Sequence, residues 1–181
     1  MREGKLYGNS CKIRDFKMHF SINVYYVIFQ EFVNNKGQRI TFDQSSANGI
    51  LLFREMSSVI CAYGSRVLQL PVRSDVYVEK YKGILLLLGA MTNALSGGYV
   101  NFGIFGLYND QALQNALDVS LQMCLQVPLA DILAYLKLSK AYFSFLETLF
   151  KSHLDMLSGL DSSVFMQLVK TVHEGLQSTG E

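Results

Sequence analysis

The chain has 181 residues, of which 50% are hydrophobic and 17% are charged, and its formal net charge at pH 7 is +1. This composition excludes an intrinsically disordered protein, which combines low hydrophobicity with high net charge. The small net charge excludes strong attraction to nucleic acid or anionic lipid. Only two prolines occur, which favours a helical fold.

The N-terminal segment, residues 1–30, differs from the rest of the chain. Residues 1–20 carry five basic and two acidic side chains, a net charge of +3. The apolar run Phe20–Phe29 is interrupted by polar residues and lacks a small-residue cleavage site after it, so we predict no signal peptide. A membrane-spanning helix needs about twenty apolar residues. This run and Gly83–Met91 are both shorter, so we predict buried helices and no membrane insertion.

The first long helix is predicted between Asn48 and Leu70. Ser45 and Ser46 are candidate N-caps, and Pro71 marks the end. The apolar residues that fall on one helical face are Ile50, Phe53, Ile60, Cys61, Val67 and Leu68.

The second long helix is predicted to begin at the cap Ser74–Asp75 and to end at Ser96–Gly98. Its apolar residues recur at spacings of three and four: Tyr81, Ile84, Leu85, Leu88, Met91 and Leu95. An aromatic and glycine-rich connector, Tyr99–Asp110, follows.

Three further long helices are predicted in the C-terminal half. Asp110 caps the first of them, and Pro128 then starts a short helical piece. The next helix is predicted to run on as far as Gly159, and Asp161–Ser162 caps the last one. The predicted buried faces are Leu113, Leu117, Leu121 and Cys124 for the first, Leu138, Tyr142, Phe145, Leu149 and Met156 for the second, and Phe165, Leu168, Val169, Val172 and Leu176 for the third.

The sequence therefore predicts five long helices and no strands, because no window alternates apolar and polar residues. Short connectors predict antiparallel helix pairs that start near residues 47, 109 and 161, a longer spacing than the about 40–47 residues of HEAT repeats. The stretch Gly83–Leu136 has only three charged residues, all acidic. We therefore expect its helices to be buried against other helices on more than one side. This is normal inside an α-solenoid. On periodicity alone, a closed helical bundle stays as an alternative.

Cysteines and histidines give no predicted metal or catalytic site. Cys11, Cys61 and Cys124 have no CxxC spacing, and we predict free thiols that act as small hydrophobes in a reducing compartment. The three histidines are far apart and form no HxxxH or HExxH pattern, so we predict packed or surface positions for His19, His153 and His173.

Two other features suggest phosphate binding, but neither has the required context. The glycine cluster Gly97, Gly98, Gly103 and Gly106 lacks the preceding strand and the following lysine of a phosphate-binding loop, so we interpret it as a connector. We interpret Lys80 and Lys82, which flank Tyr81, as a solvated helix face. The sequence predicts no catalytic, cofactor-binding or metal-binding residues and no cofactor.

Seven strings, in collinear order, carry a resemblance to a known family. They are NGILLFRE (Asn48–Glu55), YGSRVLQLP (Tyr63–Pro71), KYKG (Lys80–Gly83), ALSGGYVNFG (Ala94–Gly103), FGLYND (Phe105–Asp110), PLADILAY (Pro128–Tyr135) and KLSKAY (Lys137–Tyr142). They closely resemble a stretch of the exportin-seven type of nuclear transport receptor, also called Ran-binding proteins sixteen and seventeen. The plant members are nearest, and the resemblance runs from about Glu31 to Ser178.

The resemblance implies an all-α, HEAT/armadillo-like α-solenoid of the importin-β superfamily. Such receptors bind protein cargo in the nucleus together with Ran in its GTP form, carry both through the nuclear pore, and release them when the GTP is hydrolysed. The implied partners are Ran, cargo proteins and nuclear pore proteins, without nucleic acid. The implied location is the nucleus and the cytoplasm, and the receptor itself is not an enzyme.

The resemblance covers only part of the family's chain and only part of this one. The family's chains are several times longer, which implies that this chain corresponds to an internal piece, and residues 1–30 do not match the family. We predict a divergent basic segment at 1–30 and HEAT-like repeats at 31–181. The alternative function is a helical-repeat scaffold or adaptor, or a truncated remnant, without transport activity. No Ran or cargo contact residue is assigned, because no short contact motif of the family lies in this stretch.

Overall fold

A computed structural model describes residues 47–71, 75–98, 100–157 and 159–178. The predicted segment 1–30, its boundary with 31–181, and the candidate caps Ser45, Ser46 and Ser74 lie outside these ranges. Within them the chain forms helices and no strand, which confirms the all-α prediction. The helices are α1 (Ala47–Gln69), α2 (Lys82–Ser96), α3 (Gly103–Leu107), α4 (Ala112–Gln126), α5 (Leu129–Ala134), α6 (Leu136–Ser152), α7 (Leu154–Leu157) and α8 (Ser162–Ser178).

Aspartate caps start three of the long helical segments, as predicted. Asp75 Oδ1 accepts the backbone N–H groups of Tyr77 and Val78 at 2.9 and 3.2 Å, in front of a π-helical turn, Tyr77–Tyr81, that runs into α2. Asp110 Oδ1 accepts the N–H of Ala112 at 3.0 Å. Asp161 Oδ1 accepts the backbone N–H of Ser163 at 2.8 Å, and this bond, with a second one from the Ser163 hydroxyl, lowers the pKa of the Asp161 carboxyl. Each bond satisfies a donor that the helix start leaves without an internal partner.

The predicted helix up to Gly159 is wrong in one respect, because it breaks at His153. Helix α6 ends at Ser152, His153 takes a non-helical backbone conformation (φ −140°, ψ 37°), and the short helix α7 follows. The His153 ring explains the break. Its Nε2 donates to the backbone carbonyl of Leu95 at the end of α2, at 3.2 Å, and its edge meets the Phe102 ring at a centroid distance of 5.8 Å.

Among the long helices α1, α2, α4, α6 and α8, those that are next but one in the sequence make the most extensive contacts. Helix α1 packs along α4, and α2 packs along α6. Helix α4 also touches α2, and α8 touches α4 and approaches α6, where Gly175 lies against the Phe143 ring. The result is two layers, with α1, α4 and α8 in one and α2 and α6 in the other. In a closed up-and-down bundle, consecutive helices would pack most closely. The fold is therefore an α-solenoid fragment of helix pairs, as predicted.

One continuous core lies between the two layers. The large side chains that are fully buried in it are Tyr142, Phe53, Phe105, Phe145, Ile60, Ile84, Leu88, Met91, Met123, Ile132 and Leu138. Polar contacts also join α1 to the start of α4. The Ser57 hydroxyl donates to the Ala112 carbonyl at 2.5 Å, and Arg54 Nε lies 3.2 Å from Asp110 Oδ2. These contacts fix the register of the α1–α4 pair.

Two residues of the predicted buried face of α8 are exposed. Phe165, Leu168 and Val172 pack into the core as predicted, but Val169 and Leu176 remain 38% and 68% exposed. The physical reason is that α8 is the last helix of its layer among the described residues, so only one of its flanks has a neighbour. The other flank, which carries Val169 and Leu176, is apolar in the way that is typical of a helix with solenoid neighbours on both sides.

Candidate interaction surfaces

The structure places the described cysteines as packing groups. Cys124 is buried, and burial raises the pKa of its thiol well above the usual range. Cys61 is half-buried, its Sγ lies 4.0 Å from the Ser57 hydroxyl, and burial raises the pKa of its thiol too. Both thiols therefore remain protonated at neutral pH, where the thiol is a poor nucleophile. Cys11 lies outside the described residues.

The histidines do not come together. His153 donates a hydrogen bond to the Leu95 carbonyl, His173 is exposed on α8, and His19 lies outside the described ranges. Within those ranges, no three His, Cys, Asp or Glu side chains are grouped as metal ligands. None of the described helices is both long and apolar enough to cross a membrane.

The described part of the glycine-rich connector, residues 100–110, forms an ordered part of the fold, which the sequence did not predict. It contains helix α3, and Phe105 of that helix is buried against Phe53 of α1, with ring centroids 5.2 Å apart. After α3, Asn109 adopts a positive φ of 53°, a conformation that asparagine tolerates. This turn presents the neighbouring Leu107 and Tyr108 to solvent. No signal for this arrangement exists in the glycine spacing, because the anchor is an aromatic contact with a distant helix.

Lys80, Tyr81 and Lys82 point in three different directions. Lys80 Nζ donates to Gln126 Oε1 on α4 at 2.9 Å, whereas Lys82 is exposed. Tyr81 is buried between them, and its hydroxyl donates to Asp131 Oδ2 on α5 at 2.5 Å. Burial raises the pKa of Tyr81 above its usual range, and the hydrogen bond to Asp131 adds to this effect. The two lysines therefore do not form a joint phosphate contact.

A tyrosine cluster surrounds this hydrogen bond. The rings of Tyr77 and Tyr135 stack at a centroid distance of 4.7 Å and an angle of 27°, and Tyr81 meets Tyr135 edge-on at 5.9 Å. Tyr77 precedes α2 and Tyr135 precedes α6, so the cluster joins the starts of these two helices. The spacing of Tyr77 and Tyr81 hints at a shared face. Tyr135 lies more than fifty residues away, and sequence reasoning missed it.

We expect the protein to lose stability in alkaline solution because of its buried neutral acids. Burial raises the pKa values of Cys124, Tyr142 and Tyr81 above the usual values of about 8.5 for cysteine and about 10 for tyrosine. These groups ionise first in the unfolded chain. Their full stabilisation is therefore present below about pH 8 and falls as the pH rises through the unfolded-state values. Urea midpoints measured from neutral pH to about pH 11 should decline, and the decline between about pH 8 and pH 10 should be smaller in Cys124→Ala, where only Cys61 of the described cysteines still contributes. A flat profile would contradict this prediction.

Comparison with known proteins finds relatives that are named exportins and Ran-binding proteins. The chain is 46% identical over 152 residues to Exportin-7-B of Xenopus laevis, 41% identical over 151 residues to Ran-binding protein 17 of Homo sapiens, and 39% identical over 149 residues to Exportin-7 of Dictyostelium discoideum. Each match covers 82% of this chain and only 14%, 14% and 15% of the respective relative. No family model matches the chain, and no solved structure matches it significantly.

Proposed function

Because the chain belongs to the exportin-7 and Ran-binding protein 16/17 family, we propose that it forms part of the solenoid of a nuclear export receptor. The observation that carries this proposal is the identity of 38–46% to these relatives, sustained over 82% of the chain. Solenoid proteins use their extended surfaces to bind partner proteins. The protein acts by binding and not by catalysis.

The proposal includes the partners of the family. The receptor carries protein cargo through the nuclear pore together with Ran in its GTP form, contacts nuclear pore proteins on the way, and shuttles between nucleus and cytoplasm. The proposal assigns the helical repeats to residues 31–181 and treats residues 1–30 as a divergent basic segment. The exposed apolar flank of α8, formed by Met166, Val169 and Leu176, supports a role inside a longer solenoid, because the next repeat of such an array packs on this flank.

A chimaera tests this function. We expect that Exportin-7-B of Xenopus laevis, with its matching segment replaced by the matching part of this chain, binds GTP-loaded Ran with an affinity similar to that of the parent. We also expect it to leave the nucleus in permeabilised cells supplied with Ran and GTP. The isolated 181-residue chain should bind Ran much more weakly, because it supplies only part of a distributed binding surface.

The control is the same chimaera with Phe53→Ala, which should lose both properties because its repeat is unstable. A chimaera that folds, as judged by circular dichroism and a cooperative melt, but neither binds GTP-loaded Ran nor leaves the nucleus would refute the proposed function.

A further inference from the structure

One flank of helix α8 carries a narrow apolar stripe that is exposed among the described residues. Met166 is 62% exposed, Val169 is 38% exposed and Leu176 is 68% exposed. His173, which lies between Val169 and Leu176 in the sequence, is exposed as well. We name the surface formed by these four residues the α8 seam.

The spacing of the α8 seam is that of a contact between two helices. Its four residues follow one another at intervals of three, four and three positions, which places them on one side of the helix. A stripe with this spacing is the line along which two helices pack side by side, with the side chains of one inserted between those of the other. The occupant that fits the α8 seam is therefore another α-helix with an apolar stripe.

The surroundings of the seam carry no net charge that would select a charged partner. Lys170, on the outer side of the seam, forms an ion pair with Glu174 of the same helix, with Nζ 3.6 Å from Oε1. Gln177 is exposed on the same side, and Val172, on the inner side, packs against the core. The opposite charges of Lys170 and Glu174 cancel, so the seam suits a partner helix whose own rim is also neutral overall.

The order of the intervals makes the seam self-complementary. Three, four and three read the same in both directions along the helix. A second, antiparallel copy of α8, related by a two-fold axis through the middle of the seam, therefore matches the first copy position by position. In this arrangement Met166 lies opposite Leu176 of the second copy, and Val169 lies opposite His173 of the second copy.

We propose that the α8 seam pairs two copies of this chain, with their α8 helices antiparallel. The pairing is weak, because α8 has 17 residues and is about 25 Å long. One flank of such a helix offers less than the about 800 Å² per partner that is usual in stable complexes. The next repeat of a longer solenoid and a second copy exclude each other at this flank. The pairing needs neither Ran nor cargo, so its failure would leave the proposed transport function untouched.

Sedimentation equilibrium of the full 181-residue chain tests the pairing. We expect a monomer–dimer equilibrium with a dissociation constant on the order of 10–100 μM, since the interface is small. Species larger than the dimer should be absent, because a two-fold contact is closed.

Two seam variants should shift this equilibrium in opposite directions. Met166→Ser/Leu176→Ser should weaken the dimer at least about tenfold, because both copies lose two apolar contacts. His173→Leu should tighten the dimer about tenfold, because a polar residue in an apolar seam costs stability. All of these side chains are exposed in the single chain, and circular dichroism checks that the fold is kept.

Matched controls change exposed residues away from the seam. Leu107→Ser/Tyr108→Ser removes two exposed apolar side chains from the connector, and Gln167→Leu adds a leucine to α8 outside the seam. Both should leave the dissociation constant unchanged.

Disulfide trapping tests the antiparallel orientation. Oxidation of an equal mixture of the Met166→Cys chain and the Leu176→Cys chain should give mainly the mixed dimer, and the unchanged chain with its own three cysteines gives the background. The proposal is overturned if the unchanged chain is monomeric at about 0.5 mM, well above the expected dissociation constant. It is also overturned if the controls alter association as much as the seam variants do, or if two Met166→Cys copies crosslink as readily as the mixed pair.

Discussion

We expect Phe53→Ala to lower the free energy of unfolding by about 3–5 kcal/mol, the usual cost of removing a buried phenylalanine. Phe53 is fully buried on α1, and its ring meets the rings of Phe102 and Phe105 edge-on at centroid distances of 5.0 and 5.2 Å. The substitution removes the core contact of α1 and the aromatic anchor of the connector together. Urea denaturation followed by circular dichroism measures the loss.

The same variant should release the connector before the whole chain unfolds. Amide hydrogen exchange in residues 101–110 should accelerate more than exchange in α2 and α6, which make their most extensive contacts with each other. Tyr108→Ala is the control, because this side chain is an exposed aromatic of the same connector, and its loss should change stability by less than about 0.5 kcal/mol. Similar losses for both variants would show that Phe53 does not anchor the connector.

The start of each long helical segment was predictable because the signal is local. Asp75, Asp110 and Asp161 each hold backbone donors two or three residues ahead, so the cap and the helix that it starts are adjacent in the sequence. The spacing of apolar residues then indicates which face is buried. It contains no information about which helix covers that face.

Features that depend on distant partners were not predictable. The break at His153 requires the Leu95 carbonyl, and the order of the connector requires Phe53. The pairing of α1 with α4 and of α2 with α6 likewise follows from packing between helices that are not consecutive. For the same reason the tyrosine cluster was not predictable, because Tyr81 and Tyr135 are more than fifty residues apart in the sequence and meet only in the fold.

Gly64 shows how packing between layers overrides helix propensity. It lies inside the C-terminal half of α1, and glycine in a helix interior is about 1 kcal/mol less favourable than alanine. A Cβ atom at this position would lie 2.4 Å from Val119 Cγ1 on α4, far closer than two carbon atoms pack. The glycine therefore permits the close approach of the α1–α4 pair, which is the main contact within its layer.

We expect Gly64→Ala to lower the free energy of unfolding by about 2 kcal/mol, since an overpacking cost of up to about 3 kcal/mol outweighs the gain of about 1 kcal/mol in helix propensity. The sign should reverse in a Val119→Ala background. Removal of Val119 Cγ1 leaves Leu87 Cδ1 at 3.5 Å and Met123 Cε at 3.7 Å, which are ordinary contacts, so the added methyl group then fits and only the propensity gain remains. Gly106→Ala is the control, because no atom lies within 4 Å of its added Cβ, and it should be neutral or slightly stabilising. If Gly64→Ala costs the same stability with and without Val119→Ala, the close approach of α1 and α4 is not what requires the glycine.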